Sequence, residues 1–357
     1  MQLLHALPIA EVAHGGNADM KILIYCAVFY PAIGGIENLT LSLAREFRRL
    51  GHEVKITTEQ EQDVNAPLEG IEVVHSSRTL SQLKLFFWSD VLYMPNITLK
   101  GVWLLMFNPF KKWVVSHNDF HLSNMFNRKT KLKNFVIRGA ARNIAVSRSV
   151  ARSLPVASTV IYNSYDDKTF RIHEVPRDID FLFVGRLVTQ KGCDMLLEAC
   201  SRVSRPFRLN IVGDGANFQA LNERAAALGL SGKVSFLGFM RDEQLAITMN
   251  RHRVMIVPSI SAEGFGIVAL EGLACGCKML VSDAGGLPEA IGEFGAVFPM
   301  GDVQALTTLL EDCLANPQVE EMSEAKMAYL QDHRAQNVAR KYLDVFAGAA
   351  WKQQCLR

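Results

Sequence analysis

The chain reads as an α/β protein made of two doubly wound parallel-sheet domains. Two observations carry this reading. Short apolar runs alternate with segments of helical period almost from end to end, which is the pattern of βαβ units and hence of parallel sheets. The alternation is interrupted at SYDDKTFRIHEVPRD (164–178), a polar, proline-containing stretch that divides it into two series and reads as a linker. A chain of 357 residues is long enough for two such domains, each with its own core.

In the first series, strands are expected at 21–29 (KILIYCAVF), 53–58, 71–76, 90–95, 112–117, 143–147 and 159–163. After the first strand, Leu39, Leu43, Phe47 and Leu50 fall at helical spacing, and Gly51 is the stop. The second series places strands at 180–186, 209–214, 234–239, 254–259, 278–283 and 296–300, with helical segments between them.

Composition is that of a globular protein, 49% apolar and 21% charged, and a net charge of +2 gives no general reason to bind nucleic acid. No apolar run reaches the ~18 residues a membrane-spanning helix needs. Residues 1–19 lack the basic start and unbroken apolar stretch of a secretory signal, so they are expected to be a disordered extension, with folding starting at Met20. The seven cysteines suit reduced, buried thiols; Cys275 and Cys277 form a C-x-C with no second pair or nearby histidine to complete a zinc site.

An open parallel sheet binds ligands at the carboxyl ends of its strands, so the chemistry is sought in the strand-to-helix loops. YPAIGGIEN (30–38) places Gly34 and Gly35 before an amphipathic helix, where backbone N–H groups could approach an anion or simply make the turn. VGRLVTQKG (184–192) flanks its loop with Arg186 and Lys191, a pair suited to a diphosphate, or else to an ordinary solvated basic loop. EGFGIVALEGLACG (263–276) sets Glu263 and Glu271 eight positions apart around the mouth of a short helix that Gly276 closes. Gly264 and Gly266 open the backbone there, so the N–H groups of Gly266, Ile267 and Val268 can point at a phosphate. Glu263 would then meet a hexose and Glu271 a ribose diol, a pattern that suits a nucleotide sugar. The plainer reading is one glutamate paired with the helix dipole and one exposed on the helix. His117, at the end of VVSH, is either a structural histidine or a member of the same cleft. Two patterns are set aside. DID (178–180) precedes a strand and so lies at the wrong end of a sheet for metal chemistry, and GDGANF (213–218) lacks the third glycine of G-x-G-x-x-G.

EGFGIVALE resembles the E-x7-E motif of the retaining glycosyltransferases of family 4. IGGIE, VGRLVTQKG, IVGDG, VSFLGFM, ALEGLACG and DAGGLPEAI are similar to landmarks of that family in its usual order, and the likeness runs from about residue 20 onward. What the resemblance implies is a GT-B fold: a first Rossmann-like, acceptor-binding domain (20–165) facing a second, nucleotide-sugar-binding domain (166–335) across a cleft. A final helix in 336–357 would pack back on the first domain. Gly185, Arg186, Lys191 and the backbone from Gly264 and Phe265 to Val268 would hold the donor diphosphate, with Gly34 and Gly35 closing over it. The base would rest near Phe239, the ribose on Glu271 and the transferred sugar on Glu263, while His117 would lie near the reacting centre. The reaction implied is a metal-independent transfer with retention, needing no cofactor, from a UDP-, GDP- or ADP-sugar. Ser164 departs from the family's usual glycine after Asn163.

Between Lys111 and Arg152 there are ten Lys or Arg and one acid, Asp119, interleaved with Phe and Ile. This suits an anionic membrane surface or a lipid-linked acceptor, and gives the expectation of a cytoplasmic enzyme, peripheral on the inner face of the cytoplasmic membrane, that builds bacterial surface glycans such as lipopolysaccharide or exopolysaccharide. A solvated basic helix is the plain alternative. No aromatic nucleic-acid-binding motif accompanies the charge. Two other functions share the fold: a nucleotide-sugar epimerase, and a catalytically idle nucleotide-sugar-binding protein.

Overall fold

A computed structural model gives the fold, and the structure describes residues 19–26, 29, 35–58, 70–75, 79–120, 128–318 and 321–348. The extension 1–18 and Gly34 lie outside the described residues. The first domain contains strands β1 (Lys21–Cys26), β2 (Glu53–Thr58), β3 (Glu72–His75), β4 (Val91–Pro95), β5 (Lys112–His117), β6 (Arg142–Ala145) and β7 (Thr159–Val160). Its helices are α1 (Gly35–Arg49), α2 (Thr79–Trp88), α3 (Leu99–Val102), α4 (Arg128–Val136) and α5 (Arg148–Ser153). The second contains β8 (Ile179–Val184), β9 (Leu209–Val212), β10 (Val234–Gly238), β11 (His252–Val257), β12 (Lys278–Ser282) and β13 (Gly295–Phe298). With them come α6 (Cys193–Ser201), α7 (Phe218–Ala227), α8 (Asp242–Asn250), α9 (Ile267–Ala274), α10 (Leu287–Ile291), α11 (Val303–Ala315), α12 (Glu324–Asp332) and α13 (Ala335–Ala347).

The first sheet has the order β3-β2-β1-β4-β5-β6-β7 and the second β10-β9-β8-β11-β12-β13, with every described pairing parallel. Helices cover both faces, so central strands are continuous apolar runs rather than alternating ones: Ile22, Leu23 and Ile24 are all fully buried. In each sheet the strand order reverses once, between β1 and β4 and between β8 and β11. Those are the two places where a doubly wound sheet opens a crevice at its carboxyl edge.

The two carboxyl edges meet. A Cβ placed on Gly264, in the loop after β11, would come within 1.9 Å of the Asn118 carbonyl oxygen, just past β5. The last helix, α13, returns to the first domain, where Tyr342 and Phe346 pack on Phe47 of α1 and Tyr93 of β4. It ends at Gly348, whose φ of +84° is the left-handed stop that glycine allows.

The start of the stretch expected to be a linker packs against the end of the second domain, while its residues 171–178 are exposed or half-buried. Asn163, Ser164, Tyr165 and Phe170 are buried, and the Tyr165 amide donates to the His333 carbonyl oxygen at 3.3 Å. Residues 333 and 334 meet the joint here, Arg334 forming a parallel bridge with Tyr165. Asp178 and Asp180 sit at the amino edge of the second sheet and pair with Arg251 (3.6 Å) and Arg253 (3.5 Å), away from the loops that face the cleft. The cysteines at 26, 193, 200, 275, 277 and 313 are buried.

Candidate active site

The crevice of the second sheet lies between the loop after β8 (185–192) and the loop after β11 (258–266). The loops are tied directly, the Ile260 amide donating to the Gln190 carbonyl oxygen at 3.0 Å. Their approach requires glycine at 192, where φ is +69° and a Cβ would lie 1.9 Å from the Pro258 oxygen. The glycines of GDG also have a structural task. A Cβ on Gly213 would strike the Gly185 oxygen at 1.9 Å, so this turn forms a shelf beneath the loop that carries Arg186.

On that frame Lys191 Nζ donates to Glu263 Oε1 at 2.6 Å, and Ser259 Oγ donates to the same oxygen at 2.6 Å. Both charged side chains are partly open to solvent. Arg186 is exposed beside them, and its guanidinium has no acceptor among the described residues. Glu263 is fixed through its backbone as well: the Gly286 amide donates to its carbonyl oxygen at 2.7 Å, and a Cβ on Gly285 would lie 2.4 Å from that oxygen.

Helix α9 starts at Gly266, which acts as N-cap with φ +98°, and its first internal bond runs from the Ala269 amide to the Gly266 oxygen at 2.9 Å. The amides of Gly266, Ile267 and Val268 precede that bond and have no acceptor within the helix. Ala269, Leu270 and Leu273 bury the opposite face completely, which holds the open end at the crevice.

Glu271 lies a little over one turn inside α9. Burial, with a smaller contribution from the Asp166 carboxylate, pushes its carboxyl up to about 8. No hydrogen-bond partner for it occurs among the described residues. The folded chain therefore holds a proton between about 4.5 and 8 that the unfolded chain has released. This contribution to stability is complete below the lower value and is lost as pH rises through the upper one. Glu271→Gln is accordingly expected to raise the melting temperature at about pH 9 and change it little at about pH 5. Melting curves across that range check it, and parallel profiles for the two proteins would contradict the assignment.

The remaining expected residues are placed differently. Phe239 follows β10, two strands from β8, and is 62% exposed. Phe265 is turned into an aromatic stack with Tyr162 (5.5 Å) and His333 (6.0 Å), so its ring supports the loop instead of facing a ligand. His117 is fully buried, its Nε2 lying 3.0 Å from Asn143 Oδ1. Gly35 opens α1 with clear space around it. Sequence reasoning missed Ser259, Asp166 and Asn118, together with the Gly285–Gly286 pair. It also missed Glu289, whose carboxylate accepts from the Arg148 and Ser149 amides of α5 across the domains (2.8 and 3.0 Å). The usable signals were Ser259 at a strand end beside a loop glutamate, and the double glycine of DAGG.

The stretch that carries this crevice is also the stretch that comparison picks out. Residues 166–329 match the family Glycosyl transferases group 1. The chain is 35% identical over 145 residues to the GDP-mannose-dependent alpha-(1-6)-phosphatidylinositol monomannoside mannosyltransferase of Mycolicibacterium smegmatis, covering 38% of each chain. It is 38% identical over 149 residues to the D-inositol 3-phosphate glycosyltransferase of Gordonia bronchialis, covering 38% of this chain and 32% of that one. The matches thus span well under half the length of either relative. Over the whole fold, the structure of Anabaena HepE in complex with UDP aligns with a TM-score of 0.79 at 20% identity, covering 92% of this chain and 100% of that one. Two Rossmann-like domains facing each other are the GT-B arrangement.

Proposed function

We propose that the protein is a retaining, metal-independent glycosyltransferase that moves a hexose-type sugar from a nucleotide-diphosphate sugar to an acceptor. The observation that carries the reading is the meeting of Lys191, Ser259 and Glu263 beside Arg186 and the open end of α9, at the switch point of the group-1 domain. Charge develops on the departing diphosphate during transfer. Two cations and a set of helix amides aimed at one place are what such a charge needs. In this reading Lys191 keeps its contact with Glu263 Oε1 while it meets the donor phosphates, and the other oxygen of that carboxylate accepts from sugar hydroxyls. Glu271 takes the ribose diol and the base lies toward Phe239. No side chain is placed as a nucleophile: the leaving phosphate receives the acceptor proton on the same face of the sugar. The test is release of nucleoside diphosphate from UDP-, GDP- and ADP-sugars supplied with candidate acceptors. Turnover of one donor class supports the proposal, and no turnover of any donor, with or without added metal, counts against it.

The acceptor is proposed to be lipid-linked and presented at an anionic membrane face, with the enzyme acting in bacterial surface-glycan assembly from the cytoplasmic side. In support, Phe110 (95% exposed) and Met106 (82%) project from the first domain, as do Leu132 and Phe135 of the basic helix α4. No helix among the described residues is long and apolar enough to cross a membrane. The protein is expected to sediment with anionic vesicles at low salt and to be released as salt rises. If it stays in the supernatant at every salt concentration, the membrane proposal fails.

A further inference from the structure

A second cavity, of about 400 Å³, lies at the joint between the domains and shares no residue with the cleft. Its walls come from the carboxyl end of α1, the turn 167–168 and the α12–α13 connection. Helix α1 has 15 residues and so spans about 22 Å, which separates this cavity from the α1 end at Gly35. The volume is that of a small-molecule site.

The lining is polar and carries more positive than negative charge. Its two acids are already engaged, Glu46 by Arg49 at 2.8 Å and Asp167 by Arg334 at 3.4 Å. Lys168 and Arg340 remain without a carboxylate among the described residues. Arg340 reaches only the Asn337 amide oxygen, at 3.4 Å, and its Nε is buried with no hydrogen-bond partner. A buried donor left in that state is costly, and a turn of the side chain would bring it to an anion in the cavity. A guanidinium and an ammonium lining one cavity suit a phosphate dianion, the first as a fork and the second as a point charge. The side-chain amides of Gln336 and Asn337 offer the neutral contacts that hydroxyls need.

We propose that this cavity binds a phosphomonoester of a sugar-sized polyol and thereby clamps the joint between the domains. The clamp reaches the cleft through one turn. Asp166, next to the cavity, accepts from the Lys168 amide (3.1 Å) and from Thr169 Oγ1 (2.6 Å), and its charge acts on Glu271 of the candidate donor site. The proposal stands apart from the transferase reading, because its test needs no turnover.

The probes are glucose 6-phosphate, inorganic phosphate and glucose, titrated into the full chain by calorimetry at low ionic strength. Saturable binding of glucose 6-phosphate is expected, with weaker binding of phosphate and none of glucose. The Lys168→Gln/Arg340→Gln double variant is expected to weaken it at least tenfold, whereas Arg186→Ala, in the cleft, leaves this binding in place. Lys168→Gln alone, at an exposed position, serves if the double variant fails to fold, and a loss of about threefold or more is expected. No saturable binding by the wild type overturns the proposal, as does wild-type affinity in the lysine variant. Inorganic phosphate binding as tightly as glucose 6-phosphate would remove the polyol from it.

Discussion

Lys191→Ala is expected to lower kcat for sugar transfer by on the order of 10²- to 10³-fold, the usual consequence of removing one preorganised group from a site where charge develops. The ammonium has two tasks in the proposed reaction. It holds the Glu263 carboxylate at 2.6 Å, and it meets the diphosphate as the glycosidic bond breaks. Because both residues act through one contact, the losses from Lys191→Ala and Glu263→Gln should not multiply. The double variant is expected to be little worse than the poorer single one. Steady-state kinetics on the four proteins of the cycle decide this. Fully multiplicative losses would show that the two side chains serve separate tasks, and wild-type turnover in Lys191→Ala would remove the lysine from the chemistry.

Gly264→Ala is the second large effect. Its methyl would lie 1.9 Å from the Asn118 carbonyl oxygen, which is backbone and cannot rotate away. Since Gly264 and Asn118 belong to different domains, the clash is relieved by parting the domains, with neither core disturbed. Each sheet keeps its packing, so the melting temperature should move by only a few degrees. Transfer should fall by about 10²-fold, the scale set by misplacing catalytic groups by about an ångström. Small-angle scattering should show a larger radius of gyration for the variant. Unchanged scattering together with full activity would mean that this contact does not set the working distance between the domains.

Much of this fold is readable from residue order alone, because helical and extended periods are local properties. Both sheets follow from runs such as EVKITT and KMLVSD, and the loops that hold Arg186, Glu263 and Glu271 follow from where those runs end. Contacts between distant segments are not written in any period. Lys191 and Glu263 are 72 residues apart, and the Gly192–Pro258 approach and the Ile260–Gln190 bond bring them together. The sequence shows an aromatic in a loop at Phe265, but not that Tyr162 and His333 will stack on it. It shows a histidine at a strand end at 117, but not that Asn143, opposite Val115 in the neighbouring strand, will meet the ring at 3.0 Å. The stretch 164–178 shows its polarity in the sequence, but not that Tyr165 and Asp167 will meet His333 and Arg334, far along the chain.

The central claim is that the crevice between β8 and β11 is a nucleotide-diphosphate site. Calorimetric titration of UDP, GDP and ADP into the wild type, Lys191→Ala and Glu271→Gln tests it most directly. The account predicts selective binding of one nucleotide, weakened by either substitution. It also predicts proton release near pH 7 for the wild type, as hydroxyl donation draws the raised Glu271 carboxyl down, and none for Glu271→Gln. Folded protein that binds none of the three, or binds them equally well in all three forms, would contradict it.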